Sequence, residues 1–190
     1  MTFRALNLLT LLSVFAGFGF VAVRPTTDVQ TQARSSNPVI AEYGKVVCLP
    51  DAAQQPRDGS RIVVDVTRGD DPDKLNSALE KVCRFVNIYA GAGRKKSRVD
   101  IVVVIHGSAT LSVLNSAAYQ ARYQVSENPS LKVIKRLRKA GVRMYVCGQS
   151  LLSKGATRTD VSKDVQVAVS ALTTLVNLQS DGYGFVPLSQ

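Results

Sequence analysis

Five short runs of β-branched and apolar residues recur along the chain: Arg61 to Thr67 (RIVVDVT), Val99 to Ile105 (VDIVVVI), Arg143 to Cys147 (RMYVC), Val165 to Val169 (VQVAV) and Tyr183 to Pro187. They lack clean alternation, which is the pattern of strands covered on both faces. Between them the apolar positions return at helical spacing. Leu75, Ala78, Leu79, Val82, Phe85 and Val86 form one stripe, opened by Asp71-Pro72-Asp73 and running up to Gly91. An early proline, with acids at the positive end of the helix dipole, is a start signal. A second helix starts at Asn128-Pro129. It turns Leu131, Ile134 and Leu137 inward and Lys132, Lys135, Arg136 and Lys139 to water, and Gly141 ends it. A third spans Ser170 to Ser180. Strands alternating with helices predict βαβ crossovers and a mostly parallel sheet with helices on both faces. Val39 to Pro50 (VIAEYGKVVCLP) fits either an edge strand or an irregular packed arm.

The hydropathy changes character ahead of these elements. Residues 1–23 (MTFRALNLLTLLSVFAGFGFVAV) carry a single charge, Arg4, followed by an apolar centre and small residues, until charge returns at Arg24-Pro25. That order is the order of a secretory signal peptide. The run is also close to the ~20 residues that span a bilayer, and no clean Ala-x-Ala site follows. The reading is therefore export to the periplasm, with a retained membrane anchor facing the periplasm as the alternative. Residues 24–38 (RPTTDVQTQARSSNP) are polar, without apolar periodicity, and read as a flexible linker. The folded domain is expected over residues 39–190.

Length and charge narrow the function classes. The chain has 190 residues, enough for one domain behind a leader. Its net charge of +10 invites an anionic partner. The basic runs, Arg94-Lys95-Lys96 with Arg98 and the Lys132 to Lys139 helix face, have no interleaved aromatics and match no nucleic-acid module. They read as solvated surface, and membrane contact is expected only through an uncleaved leader. The three cysteines, Cys48, Cys83 and Cys147, fit neither a Cys-x-x-Cys pair nor a zinc pattern, and there is one histidine. No metal, no nucleotide loop and no cofactor is implied.

Candidate chemistry sits where strands end. In an open parallel sheet, ligands bind at the carboxyl ends of the strands. Two such ends read Ile105-His106-Gly107 and Val146-Cys147-Gly148-Gln149-Ser150. Parallel strands put both on one edge, so His106 and Cys147 are candidates for a common site. A cysteine at a strand-to-turn junction can present its sulfur to backbone N–H groups, an environment that makes thiolate available. A nearby imidazole can shuttle its proton. The plainer alternative for Cys147 is a small buried hydrophobe.

The segments VVVIHGSA, ENPSLKVIKRLRKAGVRMYVCGQSL and VQVAVSALTTLVNLQSDGYGFVPL resemble the DsrE/DsrF-like (DsrEFH-like) sulfur-relay family in motif and order. The resemblance implies a three-layer α/β/α sandwich with a five-stranded mostly parallel sheet, and a homo-oligomer, trimer or hexamer. It implies that Cys147, in the Cys-Gly-Gln position, accepts sulfane sulfur as a persulfide, with His106 beside it. It also assigns Gly107, Asn128, Gly148, Gln149 and Ser150 to the substrate pocket. Family members that relay sulfur do so between donor and acceptor proteins, whereas the cytoplasmic ones lack a leader. Two functions follow as expectations. One is a sulfur carrier or sulfurtransferase-like protein acting through Cys147. The other is a non-enzymatic oligomeric binding module that holds a small anion or a protein partner in the same pocket.

Overall fold

A computed structural model describes residues 35–188. The leader at 1–23 and residues 24–34 of the expected linker lie outside the described residues. The described chain opens with two short strands, β1 (Ser35–Ser36) and β2 (Val46–Val47), which pair antiparallel with each other and not with the main sheet. The segment from Val39 to Pro50 is thus an arm whose β2 pairs back with Ser35–Ser36. Asn87 pins the arm: its buried amide accepts from Val39 and Ile40 N–H and donates to the carbonyls of Ile40, Tyr43 and Gly44.

The main sheet contains β3 (Ser60–Val66), β4 (Val99–Ile105), β5 (Arg143–Cys147), β6 (Gln166–Ala168) and β7 (Gly184–Pro187). All five are parallel, in the spatial order β6-β5-β4-β3-β7. The expected sandwich forms, and the five apolar runs are its five strands. Their boundaries move by at most a residue at either end.

The helices are α1 (Ser77–Gly91), α2 (Ser116–Tyr123), α3 (Leu131–Lys139), α4 (Gly148–Ser153) and α5 (Ala171–Ser180). A 3₁₀ segment, Gly107–Val113, follows β4. From β3 to β6 the chain steps across the sheet in one direction, and then it crosses back to place β7 beyond β3. With right-handed crossovers that reversal sends the last helix to the opposite face. The packing follows. Residues of α1 to α4 join the larger core with Ile62, Val64, Ile101, Val103 and Met144, whereas α5 alone covers Val63, Val102 and Val104 through Ala171 and Leu178.

Helix α1 begins at Ser77, later than the acidic start signal suggests. Asn76 caps it, accepting from the N–H groups of Ala78 and Leu79, while Asp71 to Lys74 form a turn. Asparagine has a strong cap preference because its short side chain reaches those orphan donors. At the amino-terminal end of the α5 face, Asp100 accepts from Arg143 and from the Tyr183 hydroxyl, and Arg61 lies 4.3 Å over the Tyr183 ring.

Candidate functional site

Side-chain alternation decides which residues share a face at the carboxyl edge. Val102 and Val104 belong to the smaller core, so His106, the next position of that parity, falls on the α5 side. Cys147 belongs to the same core. Asp65 follows Val63 on β3 and shares the face as well. The last paired positions of β4 and β5 are Ile105 and Val146. His106 and Cys147 are therefore the next in register, on strands about 4.8 Å apart.

His106 Nε2 lies 2.8 Å from Asp65 Oδ1. A carboxylate only accepts, so Nε2 carries the proton and Nδ1 is left as the nitrogen that can take one. Asp65 was not among the candidates read from the sequence. The signal was present, as a lone acid inside the apolar run RIVVDVT in a chain with a single histidine.

Cys147 is 7% exposed. Its Sγ accepts from Ser150 N–H at 3.4 Å, because Cys147 caps the turn into α4. Ser150 then fastens that turn to the neighbouring loop: its hydroxyl bonds Thr110 Oγ1 at 2.7 Å and donates to Gly107 O at 3.3 Å. The two glycines have steric reasons. Gly107 has a φ of +59°, and a Cβ there would lie 2.6 Å from Thr67 O. A Cβ on Gly148 would lie 2.8 Å from Ala168 O. Gln149 is exposed and reaches Val169 O at 3.5 Å.

Asn128 goes elsewhere. It is 3% exposed, donates to Ser112 O and Leu114 O, and accepts from Ser130 N–H. Ser130 in turn accepts from Asn76 N–H, and Asn76 donates to Arg68 O. This buried chain of amides fixes the loops that follow β3 and β4. Asn128 is spent on backbone, on the far side of the sheet from Cys147. Gly107, Gly148, Gln149 and Ser150, by contrast, do surround the ends of β4 and β5.

An apolar groove of about 360 Å³ lies between the arm and α1, with Val46, Leu49, Pro56, Arg84 and Ile88 in its wall, and none of Asp65, His106 or Cys147 lines it. All three cysteines are free thiols: Cys48 exposed, Cys83 and Cys147 buried. A thiol, an imidazole and a carboxylate in line at one sheet edge can accept and move a proton around a nucleophilic sulfur.

Residues 61–188 match the DsrE/DsrF-like family. No curated protein matches the chain. A solved structure of a protein of unknown function from Methanobacterium thermoautotrophicum is similar, with 22% identity and a TM-score of 0.50. The match covers 67% of this chain and 98% of that one, and it supports the fold.

Proposed function

This chain belongs to the DsrE/DsrF-like family, and from that membership we propose that it carries sulfane sulfur as a persulfide on Cys147. The observation that carries the reading is the in-line order of Cys147, His106 and Asp65 on neighbouring parallel strands, with the imidazole already bonded to the carboxylate. His106 accepts the Cys147 proton. The sulfur then attacks the terminal sulfur of a donor persulfide, R–S–SH. A new S–S bond forms on Cys147, the donor's S–S bond breaks, and the electron pair leaves on R–S⁻, which takes up a proton. No external oxidant or reductant enters the balance. Asp65 holds the ring in the tautomer that this step requires.

The test is direct. The reduced protein is exposed to a sulfane-sulfur donor and its peptides are weighed. A gain of one sulfur on the Cys147 peptide, reversed by a thiol reductant and absent from Cys147→Ser, supports the carrier. A folded protein with a free Cys147 thiol and no gain overturns it.

One observation favours a second reading. Cys147 is nearly buried and its sulfur caps a turn, which suits a structural thiol beneath a binding surface. A binding module would then retain its ligand in Cys147→Ser.

A further inference from the structure

The arm lies along α1 and is anchored at both ends of the groove between them. At one end Gly44 approaches the helix so closely that a Cβ would lie 2.3 Å from Arg84 N. At the other, Leu49 N–H donates to Ala92 O at 2.7 Å. The Gln55 amide then donates to the carbonyls of Leu49, Pro50 and Ala52 and accepts from Arg94 N–H at 2.8 Å. Gly93 leaves room for that closure, since a Cβ there would lie 2.8 Å from Gln55 Oε1. Between these anchors the groove of about 360 Å³ stays open, with its two walls held apart by backbone bonds.

The lining joins apolar surface to one sign of charge. Val46, Val47, Leu49, Ile88 and Ala92 supply the apolar part, and Val47 and Leu49 are 38% and 56% exposed. The charged residues in the wall are Lys45 and Arg84, and no Asp or Glu is among them. Neither cation makes an ion pair among the described residues. Arg94, Lys95 and Lys96 follow Gly93 and add to the same sign, against Asp51 in the arm and Glu80 one turn before Arg84. Lys45 follows Gly44, which touches the Arg84 backbone, so both cations stand at one end of the groove. From there Arg84, Ile88 and Ala92 recur at four-residue spacing, so the groove runs along the helix for about 12 Å.

We propose that this groove binds a free fatty carboxylate, with the head group at Lys45 and Arg84 and the alkyl chain along Val46, Ile88 and Leu49. The charge selects the head: two cations with no acid in the wall favour an anion, and a neutral or cationic amphiphile gains nothing from them. The size selects the tail. Ligand sites run from about 300 to 1,000 Å³, and a groove at the small end of that range holds one alkyl chain and not a two-chain lipid. None of the residues at the sulfur edge takes part, so the site stands whether or not Cys147 carries sulfur.

Calorimetric titration of the full chain with decanoate tests it, with circular dichroism to confirm the fold of each variant. The parent should bind decanoate saturably, with a single site per chain. Leu49→Glu puts an acid in the wall, and Lys45→Gln/Arg84→Gln removes both cations; all three positions are exposed, so the fold should persist. Each variant should bind about tenfold more weakly, because an exposed ion pair changes an equilibrium constant by a few-fold. Val176→Glu makes the same charge change on exposed α5 surface and should bind as the parent does. Decanol, which lacks the carboxylate, should bind more weakly than decanoate. Absence of saturable binding overturns the proposal. Equal weakening in Val176→Glu overturns it too, since attraction to the net charge would then suffice. Decanol binding as tightly as decanoate removes the head-group site. A chain that binds vesicles of anionic phospholipid but no free decanoate makes the patch a membrane contact and overturns the ligand.

Discussion

His106 and Asp65 meet across neighbouring strands, with the imidazole Nε2 2.8 Å from the carboxylate. Both residues lie on the face that Cys147 shares. On the proposed mechanism this pairing holds the ring in one tautomer, and Asp65 is a positioning residue that acts through His106.

Asp65→Asn should therefore slow sulfur uptake by about 10²-fold or more, the scale on which general acid–base catalysis operates. The fold should persist, since an amide of the same shape replaces the carboxylate. Single-turnover transfer from a sulfane donor measures it. An unchanged rate would remove Asp65 from the mechanism.

The three thiols should differ in reactivity. Burial, with Glu80 adding to it, pushes the Cys83 thiol from 9.0 up to about 12. Iodoacetamide at mild alkaline pH should label exposed Cys48 first, Cys147 more slowly, and Cys83 only on unfolding. The shift also has a consequence for stability. The thiol is held neutral in the folded state, so its contribution is complete below pH 9 and is lost as pH rises from 9 towards about 12. Peptide mapping of the labelled sites checks the order, and rapid labelling of Cys83 in folded protein would contradict it.

Asn128→Ala should lower stability by about 3 kcal/mol, from roughly 1 kcal/mol for each of its three buried hydrogen bonds. Urea unfolding measures the loss. A variant that unfolds like the parent but no longer loads sulfur would return Asn128 to the substrate pocket.

The strands were legible because their composition is one-sided. Val102 to Ile105 is apolar without interruption, and such a run has few alternatives to a doubly covered strand. The placement of His106 and Cys147 at one sheet edge was legible for a related reason, since they stand at the carboxyl ends of two strand runs. Asp65 was harder to see, because its partner is 41 positions away and only strand pairing brings them together. Helix α2 carries one fully buried residue, Tyr119, and α4 has six residues with Leu151 buried, so neither writes an apolar stripe long enough to detect. Asn128 sits in an Asn-Pro motif resembling the family's site, but whether its amide faces substrate or backbone depends on loops the motif does not contain.

Acid should weaken the opposite end of the α5 face. Burial pushes the Asp100 carboxyl up, but the bonds from the Tyr183 hydroxyl and from Arg143 outweigh it and hold the group below 3.8. A lowered value means the contribution is present above that pH and is lost as pH falls through the folded value. Tyr183→Phe should move the acid midpoint upward, read by fluorescence or circular dichroism between neutral pH and pH 2. A midpoint equal to the parent's would show that the cluster is neutral for stability.

The sheet is closed by its last strand: β7 pairs with β3, Ile62 opposite Gly184. During synthesis β3 can find β4 early, but its other edge stays open until Gly184–Pro187 have emerged. Non-local pairing of this kind is slow, and an unpaired apolar edge recruits other chains in the meantime. Pairing of β7 is thus the step that completes the sheet. A nascent chain stalled before Gly184 presents an aggregation-prone edge, however well the other four strands of the sheet have formed.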